Sequence, residues 1–309
     1  MNKKTVLVTG ALGHIGSELI RSFDPNIIGS IVMLDNLESQ RYCSLYNLPT
    51  EFKYKFIQAD VRTADFDSIL SGIDYVVHLA AITNAEGSVD RQKEVEEVNF
   101  QGLKRVADSC LTKKVKLLFP STTSVYGSQE NRVDETCADL QPQSPYAESK
   151  LAAEAYLKDL SLKGLGTVVC RFGTIFGWSI GMRFHTAVNK FIWQAVNHQP
   201  VTVWKTAWEQ RRPYLDLQDC VRAINYIIRQ DLFDGEIYNV LTSNFTVQDI
   251  VSAIKKFIPD LEVTYVDSRI MNQLSYDVID DKFKAKGFVS QGDLNKGVEK
   301  TIKQLNKIY

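Results

Sequence analysis

The stretch Val6–Ile20, VLVTGALGHIGSELI, decides the fold of this chain. Its first residues are apolar and β-branched, which is typical of a strand buried on both faces. The residues after Gly13 carry helical periodicity, and Gly10, Gly13 and Gly16 stand between strand and helix. Glycine permits a tight turn and lets backbone N–H groups approach a phosphate at the start of a helix. The stretch therefore predicts a strand, a phosphate-binding loop and a helix.

The rest of the first half repeats this alternation of strand and helix. The predicted strands are TVLVTG, IVMLDN, YKFIQAD, DYVVHLAA, VKLLFPSTTSVYG and GTVVCRFGTIFG. The predicted helices are HIGSELIRSF, DFDSILSG, RQKEVEEVNFQGLKRVADSC and PYAESKLAAEAYLKDLSLKG. Strands that alternate with helices predict an α/β fold, a doubly wound parallel sheet of the Rossmann type.

Beyond about Gly177 the alternation loosens, which predicts a smaller second lobe. We expect a helix in MRFHTAVNKFIWQAVNHQ, a strand in PVTVW and a helix in TVQDIVSAIKKFI, with the chain returning to the sheet around DLQDCVRAINYII. The predicted nucleotide-binding domain is 1–174 with 213–240. The predicted substrate-binding lobe is 175–212 with 241–309, so the C-terminal lobe is interleaved with the sheet rather than joined by a linker.

Composition excludes several classes of protein. Apolar residues make up 44% and charged residues 24% of 309, which argues against disorder. A net charge of −1 does not indicate nucleic-acid binding. Five scattered cysteines and four scattered histidines predict reduced thiols, a cytoplasmic location and no metal. We find no signal peptide and no apolar run long enough for a membrane span.

Asp35, at the end of IVMLDN, lies where a carboxylate would accept hydrogen bonds from the adenosine ribose. A carboxylate repels a 2′-phosphate, so this position favours NAD over NADP. Two alternatives stay open: Asp35 caps a turn, or Arg41 serves a 2′-phosphate after the loop folds back.

SPYAESK, Ser144–Lys150, combines a helix start with a phenol and an ammonium group one helical turn apart. Ser144 is suited to the N-cap and Pro145 to the first turn. Residues four apart share a helix face, so Tyr146 and Lys150 point the same way. The ammonium group should lower the tyrosine pKa, which would let the phenol exchange a proton with a substrate hydroxyl. The alternative is an ordinary surface face of a helix.

These motifs together resemble the extended short-chain dehydrogenases/reductases of the NAD-dependent nucleotide-sugar epimerase/dehydratase group, over nearly the whole chain. The matching segments are TGALGHIG, DNL at Asp35, ADV at Asp60 and Val61, HLAA at His78–Ala81, Asn99, STTSVYG with YAESK, RRPYLDLQD and GEIYNV.

The resemblance implies roles for individual residues. It makes Thr122, Tyr146 and Lys150 the catalytic triad. The implied cofactor-binding residues are Gly10, Gly13, His14, Ile15, Gly16, Asp35, Asn36, Asp60, Val61, Leu79, Ala80, Ala81, Asn99, Ser121, Tyr146 and Lys150. The implied substrate-binding residues are Thr83, Thr123, Thr174, Arg183, Asn189 and Arg212, with Arg212 holding the substrate diphosphate. His185 in the same segment is a remote candidate ligand.

The chain also departs from that family. The 4,6-dehydratases carry an Asp-Glu pair where this chain has Thr123 and Ser124, so a dehydratase is disfavoured. Thr174 replaces a common asparagine, the glycines before RRPYLDLQD are missing, and NQLSYDV lacks a common diphosphate-binding arginine. Trp204 and Trp208 either stack on the nucleotide base or pack between the lobes.

We therefore predict an enzyme acting on a nucleotide sugar, a C4 epimerase, by hydride transfer. Two alternatives remain: a net dehydrogenase or keto-sugar reductase with the same triad, and a redox-inactive NAD-binding regulator. The intact tyrosine and lysine argue against the regulator. A homodimer is also implied, through a four-helix bundle whose apolar seam would draw on Val98, Leu103, Val106, Leu151 and Ala155.

Overall fold

A computed structural model describes residues 3–85, 87–130, 132–267 and 275–306. Its strands are β1 Lys4–Thr9, β2 Ile28–Asp35, β3 Lys53–Gln58, β4 Tyr75–His78, β5 Lys116–Thr122, β6 Thr167–Phe172, β7 Thr174–Phe176, β8 Val201–Trp204, β9 Arg211–Asp216, β10 Ile237–Val240, β11 Ser243–Thr246 and β12 Val263–Val266. Its helices are α1 His14–Ser22, α2 Phe66–Ile69, α3 Gln92–Val95, α4 Gly102–Lys113, α5 Pro145–Leu162, α6 Ala187–Val196, α7 Leu217–Gln230, α8 Val247–Lys255, α9 Asp281–Ala285 and α10 Leu294–Leu305.

The main sheet has seven parallel strands in the order β10-β6-β5-β4-β1-β2-β3. The strand order reverses beside β1, whose neighbours are β2 and β4. In such sheets the crevice beyond the carboxyl ends of the strands at this point is where nucleotides bind. The prediction of a doubly wound α/β sheet is confirmed.

Each face of the sheet is covered by helices, as buried parallel strands require. On one face α1 and α7 pack over a core that includes Leu19, Ile31, Ile224 and Ile227. On the other face α4 and α5 contribute to a second core together with β-strand residues. Val6 and Val8 of β1 lie in the first core, and Leu7 between them lies in the second. Both faces of the strand are buried there, which explains why β1 has no polar side.

The second core explains why part of the predicted dimer seam is wrong. Leu103 and Val106 are fully buried against the sheet of their own chain, so they cannot face a second copy. The exposed side of the α4–α5 pair carries Ala155, with the rings of Phe100 and Tyr156 edge to face nearby. Helical periodicity identified the apolar face of α4 correctly. That face packs against the sheet of the same chain, so it is not available to a second copy.

The smaller lobe has its own core and two small sheets. A three-stranded sheet has the order β11-β9-β7, and β12 pairs with β8. Helices α6, α8 and α10 pack together around Val188, Ile192, Ile250 and Val298. The domain boundaries stay a prediction, and Phe283 in α9 packs in the core of the main sheet although it lies within the range 241–309.

Three predicted elements have different bounds in the structure. GTVVCRFGTIFG forms two strands in two sheets, because Gly173 passes so close to β9 that a Cβ would lie 3.0 Å from the Pro213 carbonyl. The helix predicted from Met182 begins at Ala187. The long helix 92–113 is interrupted at Glu96–Gln101 by a π-helical segment, which inserts Asn99 toward the sheet. π-helical turns are frequent at functional sites.

Trp204 and Trp208 contribute to packing in the smaller lobe. Both lie partly buried against the core of that lobe. The Trp208 ring meets Tyr265 edge to face, with centroids 5.5 Å apart. Of the two alternatives for these side chains, the structure supports packing.

Candidate active site

The phosphate loop joins β1 to α1 at the carboxyl edge of the sheet. Gly10 has φ +64, and a Cβ there would lie 2.7 Å from Ala80 N. A Cβ on Gly16 would lie 2.5 Å from the Gly10 carbonyl oxygen. Any larger residue at either position would displace the loop or the end of β4, so both glycines are required by geometry and not only by flexibility. The loop thus presents a helix N-terminus at the switch point of the sheet.

His14 and Ser17, at the start of α1, bind the loop that enters the smaller lobe. The His14 Nε2 atom lies 2.9 Å from the Gly177 carbonyl oxygen, and Gly181 N donates to Ser17 Oγ at 3.0 Å. Burial lowers the pKa of His14 to about 3, so its ring is neutral. The predicted cofactor residue His14 therefore fixes one lobe to the other through its side chain.

Asp35 ends β2 with its carboxylate held by backbone amides. Leu12 N donates to Oδ2 at 3.1 Å and Leu37 N donates to Oδ1 at 2.9 Å. Arg41 lines the same cleft. The turn-capping alternative and the ribose-binding role are thus compatible, because each carboxylate oxygen has a further lone pair.

Asp60 and Asn36 line the same cleft and are joined by a hydrogen bond. Arg62 forms a two-point ion pair with Asp60 at 2.9 and 2.8 Å, and Asn36 Nδ2 donates to Asp60 Oδ2 at 3.2 Å. These hydrogen bonds, led by those of Arg62, lower the pKa of Asp60 to about 2.

Asn99 supports the cleft from behind. Its amide accepts a hydrogen bond from Ile82 N at 2.8 Å and donates one to the Ile82 carbonyl at 3.0 Å. It also donates to Ser149 Oγ at 3.2 Å. Asn99 is buried, so it shapes the loop after β4 on which Ala81 and Thr83 lie.

These parts surround a cleft of about 350 Å³. It is lined by the phosphate loop, by the ends of β2 and β4, and by Arg183 and His185 of the smaller lobe. The lining includes most of the predicted cofactor residues: Gly10, Gly13, His14, Ile15, Gly16, Asp35, Asn36, Asp60, Val61, Leu79, Ala80 and Ala81. A loop with no room for a Cβ, followed by a carboxylate at the ribose position, fits NAD.

The three predicted catalytic residues lie together. Ser144 caps α5, accepting from Ala147 N, and Pro145 occupies the first turn, as expected. The Lys150 ammonium nitrogen lies 6.0 Å from the centre of the Tyr146 ring and donates to the Pro120 carbonyl at 2.7 Å. The Thr122 hydroxyl, at the end of β5, donates to Ser124 Oγ at 3.1 Å and is close enough to the Tyr146 phenol to lower its pKa. A helix start and a strand end thus bring the triad together.

The predicted effect on the tyrosine pKa is wrong in direction. Burial raises the pKa of Tyr146 above its ordinary value, against the opposing effects of the Arg183 charge and of the Thr122 hydrogen bond. Burial also lowers the pKa of Lys150 to about 7, which the Glu154 carboxylate partly offsets. The spacing correctly placed Lys150 beside Tyr146. The loss of water on burial raises the pKa of Tyr146 by more than a nearby positive charge lowers it.

The predicted substrate residues divide into two groups. Arg183 is half-buried, hydrogen-bonds Thr83 Oγ1 across the cleft, and lies on its substrate side. Asn189 is fully buried instead, and accepts from Gly177 N at 3.1 Å while donating to the Arg183 carbonyl at 3.1 Å. Asn189 is therefore a support for the Arg183 loop rather than the substrate contact that was expected.

Thr123 lies beside a tyrosine that the sequence analysis did not single out. Its hydroxyl donates to the Phe172 carbonyl at 3.3 Å and lies 3.4 Å from the Tyr276 hydroxyl. Arg212 on β9 is close enough to oppose the burial effect on the pKa of Tyr276. Asn272, Gln273 and Leu274 of NQLSYDV lie outside the described residues. The partly buried Thr174 begins β7.

Sequence analysis also missed a buried ion pair behind the triad. Glu154 follows Lys150 by four residues on α5, and Arg171 on β6 binds it. Ser121, a predicted cofactor residue, donates its hydroxyl to Glu154. The i, i+4 spacing from Lys150 was the available signal.

Two kinds of feature are absent from the described ranges. Within 3–85, 87–130, 132–267 and 275–306, no group of histidine, cysteine and carboxylate side chains could hold a metal ion. Over those same ranges, no helix combines the length and apolar character needed to cross a bilayer.

Comparison with known proteins agrees with this geometry. The model of the NAD-dependent epimerase/dehydratase family matches residues 6–240. An uncharacterised UDP-glucose epimerase, YtcB, of Bacillus subtilis is 32% identical over 76% of each chain. A dTDP-D-glucose 4,6-dehydratase of Bos taurus is 30% identical over 97% of this chain and 88% of its own. The solved UDP-N-acetylglucosamine 4-epimerase of Methanobrevibacter ruminantium M1 superposes with a TM-score of 0.88 over both whole chains at 25% identity.

Proposed function

Because the chain belongs to the NAD-dependent epimerase/dehydratase family, we propose that it interconverts a nucleotide-activated sugar and its C4 epimer. The single observation that supports this most is the meeting of Thr122, Tyr146 and Lys150 close to Arg183, a residue that lines the nucleotide cleft. A hydroxyl, a phenol and an ammonium group there suit proton exchange with a sugar hydroxyl. The relatives named above act on sugars carried by UDP or dTDP, which supports the substrate class.

In this proposal Tyr146 moves the proton. Its phenolic oxygen takes the proton of the sugar C4 hydroxyl and later returns it, while Thr122 orients that hydroxyl. Arg183 and the Thr122 hydrogen bond both lower the pKa of Tyr146 against the effect of burial, so they assist proton removal. NAD, when bound, supplies the hydride-transfer chemistry.

Lys150 and Arg212 would bind rather than move protons. The Lys150 ammonium group lies beside the tyrosine ring, where it would hold the nicotinamide ribose. Arg212 is the second residue of β9 and lies near Tyr276, and a guanidinium group suits the substrate diphosphate. Asp35 would bind the adenosine ribose.

The residues that follow Thr122 disfavour a 4,6-dehydratase, even though several relatives have that name. Elimination of water needs an acid and a base beside the sugar, and the corresponding positions hold Thr123 and Ser124. Neither hydroxyl titrates as a carboxylic acid does. A net dehydrogenase or keto-sugar reductase uses the same triad and is the second candidate.

Incubation of the protein with NAD and UDP-glucose, UDP-N-acetylglucosamine or dTDP-glucose separates these functions. An epimerase forms the C4 epimer, detected by NMR, without lasting NADH absorbance. Net NADH accumulation indicates a dehydrogenase. A 4-keto-6-deoxy product, or no reaction with any nucleotide sugar while NAD binds, would contradict the proposal.

We also propose a cytoplasmic homodimer. All five cysteines are unpaired, which suits a reducing compartment. Beside α4 and α5, the rings of Phe100 and Tyr156 are partly exposed, and the Lys104 ammonium group lies over both. Such an aromatic surface suits the four-helix contact that the family resemblance implies.

A further inference from the structure

Directly behind the triad, Glu154 and Arg171 form a buried ion pair. Both side chains are 3% exposed. Arg171 Nη2 donates to Oε2 at 2.7 Å, and its Nε lies 3.1 and 3.2 Å from the two carboxylate oxygens. The guanidinium carbon also lies 4.8 Å from the centre of the Tyr126 ring. Arg171 is thus fixed on two sides, and it fixes the carboxylate in turn.

The carboxylate is also close enough to the proposed catalytic lysine, Lys150, to raise its pKa. Ser121 donates its hydroxyl to Glu154 Oε1. The preceding residue, Pro120, supplies the carbonyl that accepts from Lys150 Nζ at 2.7 Å. Lys150 and Glu154 also share one face of α5. The carboxylate is therefore held beside the lysine by two strands and one helix.

Stability alone does not explain this arrangement. Replacing a buried ion pair by well-packed apolar residues is often neutral or stabilising, since two charges lose their hydration. The pair here also leaves Arg171 Nη1 buried without a partner. A costly charged group kept next to a catalytic lysine points to a role in the reaction.

We propose that Glu154, fixed by Arg171, is a positioning residue that keeps Lys150 in its ammonium form for cofactor binding. The inference rests on the proposed function, in which that ammonium group holds the nicotinamide ribose. Arg171 orients the carboxylate, and the carboxylate offsets the desolvation of the lysine.

The groups around Lys150 leave Glu154 as the main source of negative charge among those the structure describes there. On β4, His78 is neutral because burial lowers its pKa to about 3. On α5, Tyr146 is neutral because burial raises its pKa. On β5 the Phe119 ring centre lies 4.3 Å from the ammonium nitrogen. Arg183, near Tyr146, and Arg171 are positive, but the pKa of Lys150 responds to the Glu154 carboxylate rather than to either of them.

The sign of the expected pH effect follows from these charges. The pKa of Lys150 is about 7, so its ammonium form, and with it NAD affinity, should decline as pH rises through that value. Removing the carboxylate lowers that pKa further. The decline should then begin at lower pH, by about one unit, the lower end of the effect of an adjacent opposite charge.

The test is the pH dependence of NAD binding, measured by titration calorimetry between pH 5.5 and 9 (roughly two units either side of the expected midpoint). Glu154→Gln leaves Arg171 unpaired and can unfold the chain. E154Q/R171M removes both charges and avoids an unpaired buried arginine. Circular dichroism melting establishes which variants fold.

Matched controls separate charge from packing. Ala153→Gly, one residue earlier on α5, should lower the melting temperature and leave the midpoint of the pH dependence unchanged. Lys150→Met should bind NAD weakly without a decline near pH 7. A wild-type affinity that is constant across this range, or a midpoint unmoved in E154Q/R171M, overturns the inference. Failure of the epimerase proposal would appear separately, as normal NAD binding without conversion of any nucleotide sugar.

Discussion

At the scale of single residues, burial decides the chemistry of the site. Spacing alone brings Tyr146 and Lys150 to one helix face, but the loss of water raises the pKa of the first and lowers that of the second. In the proposed mechanism, proton transfer therefore depends on Thr122 and Arg183, which both lower the pKa of Tyr146 against the effect of burial. Because the three proposed residues play different parts there, substitutions within the triad should have unequal effects.

We expect Tyr146→Phe to lower turnover by about 10²–10⁴-fold, the typical contribution of general acid–base catalysis. NAD binding should persist, because the phosphate loop is untouched. Thr122→Val should cost less, since the proton path through Tyr146 remains, whereas Lys150→Met should lower both turnover and NAD affinity. Steady-state kinetics and calorimetry on the three variants check this order. Near-normal turnover of Tyr146→Phe would mean that this phenol does not carry the proton.

Asp35 should determine the choice of cofactor. Asp35→Asn removes the charge that repels a 2′-phosphate, and Arg41 lies in the same cleft to attract one. We expect the ratio of NADP to NAD affinity to rise by at least about tenfold, equivalent to about 1.4 kcal/mol. Calorimetric titration with both nucleotides measures it.

The matched control for that prediction is Arg41→Ala in the Asp35→Asn background. If Arg41 binds the 2′-phosphate, the control should remove most of the gain for NADP. Wild-type protein that binds NADP more tightly than NAD would contradict the role assigned to Asp35.

At the scale of elements, irregular segments position the site. The π-helical segment Glu96–Gln101 turns Asn99 toward the loop after β4. The side-chain amide of Asn99 hydrogen-bonds both the backbone N–H and the backbone carbonyl of Ile82. The two strand ends and the start of α5 supply the reacting groups, while this segment holds the loop between them. Regular periodicity could not predict it, because a π-turn shifts the helix face by one residue.

We expect Asn99→Ala to lower the free energy of unfolding by about 1 to 3 kcal/mol, because the Ile82 N–H and carbonyl lose their partner. NAD affinity should fall as well, since the loop lines the cleft. Urea denaturation and calorimetry measure the two effects. The control Asn84→Ala changes an exposed amide in the same loop and should alter stability by less than about 0.5 kcal/mol. Equal effects of the two variants would contradict the supporting role of Asn99.

At the scale of the whole molecule, two lobes meet across one cleft. The larger lobe supplies the phosphate loop and the ends of β2 and β4, and the smaller lobe supplies Arg183 and His185. His14 and Ser17 bind the loop 177–181 directly, so hydrogen bonds connect the start of α1 to the loop that enters the smaller lobe. Beside α4 and α5, the partly exposed rings of Phe100 and Tyr156 form the surface through which we propose the dimer.

A dimer through that surface should be disrupted by Ala155→Glu, which places a carboxylate on the exposed side of α5. The monomer fold should tolerate the change, because Ala155 is exposed. Light scattering at micromolar concentration should give a dimer mass for the wild type and a monomer mass for the variant. Ala285→Glu makes the same exchange on the exposed side of α9 and should stay dimeric. A monomeric wild type would refute the dimer.

The sequence by itself determined the parallel sheet, the glycine loop between β1 and α1, the carboxylate at the end of β2, and the shared helix face of Tyr146 and Lys150. Each of these depends on local chemistry: glycine where no Cβ fits, a carboxylate at a strand end, and two side chains four residues apart on a capped helix. Such patterns can be recognised in the sequence because strand and helix geometry repeat over a few residues.

Only the tertiary structure decided which side each group faces and how it is charged. It placed Leu103 in the core and left Ala155 outside, and it assigned Asn189 to the loop rather than to the substrate. It also brought Arg171 of β6 against Glu154 of α5, next to Lys150. Burial and contacts between distant segments set these outcomes, because desolvation depends on all the neighbours of a group and not on its position in the chain.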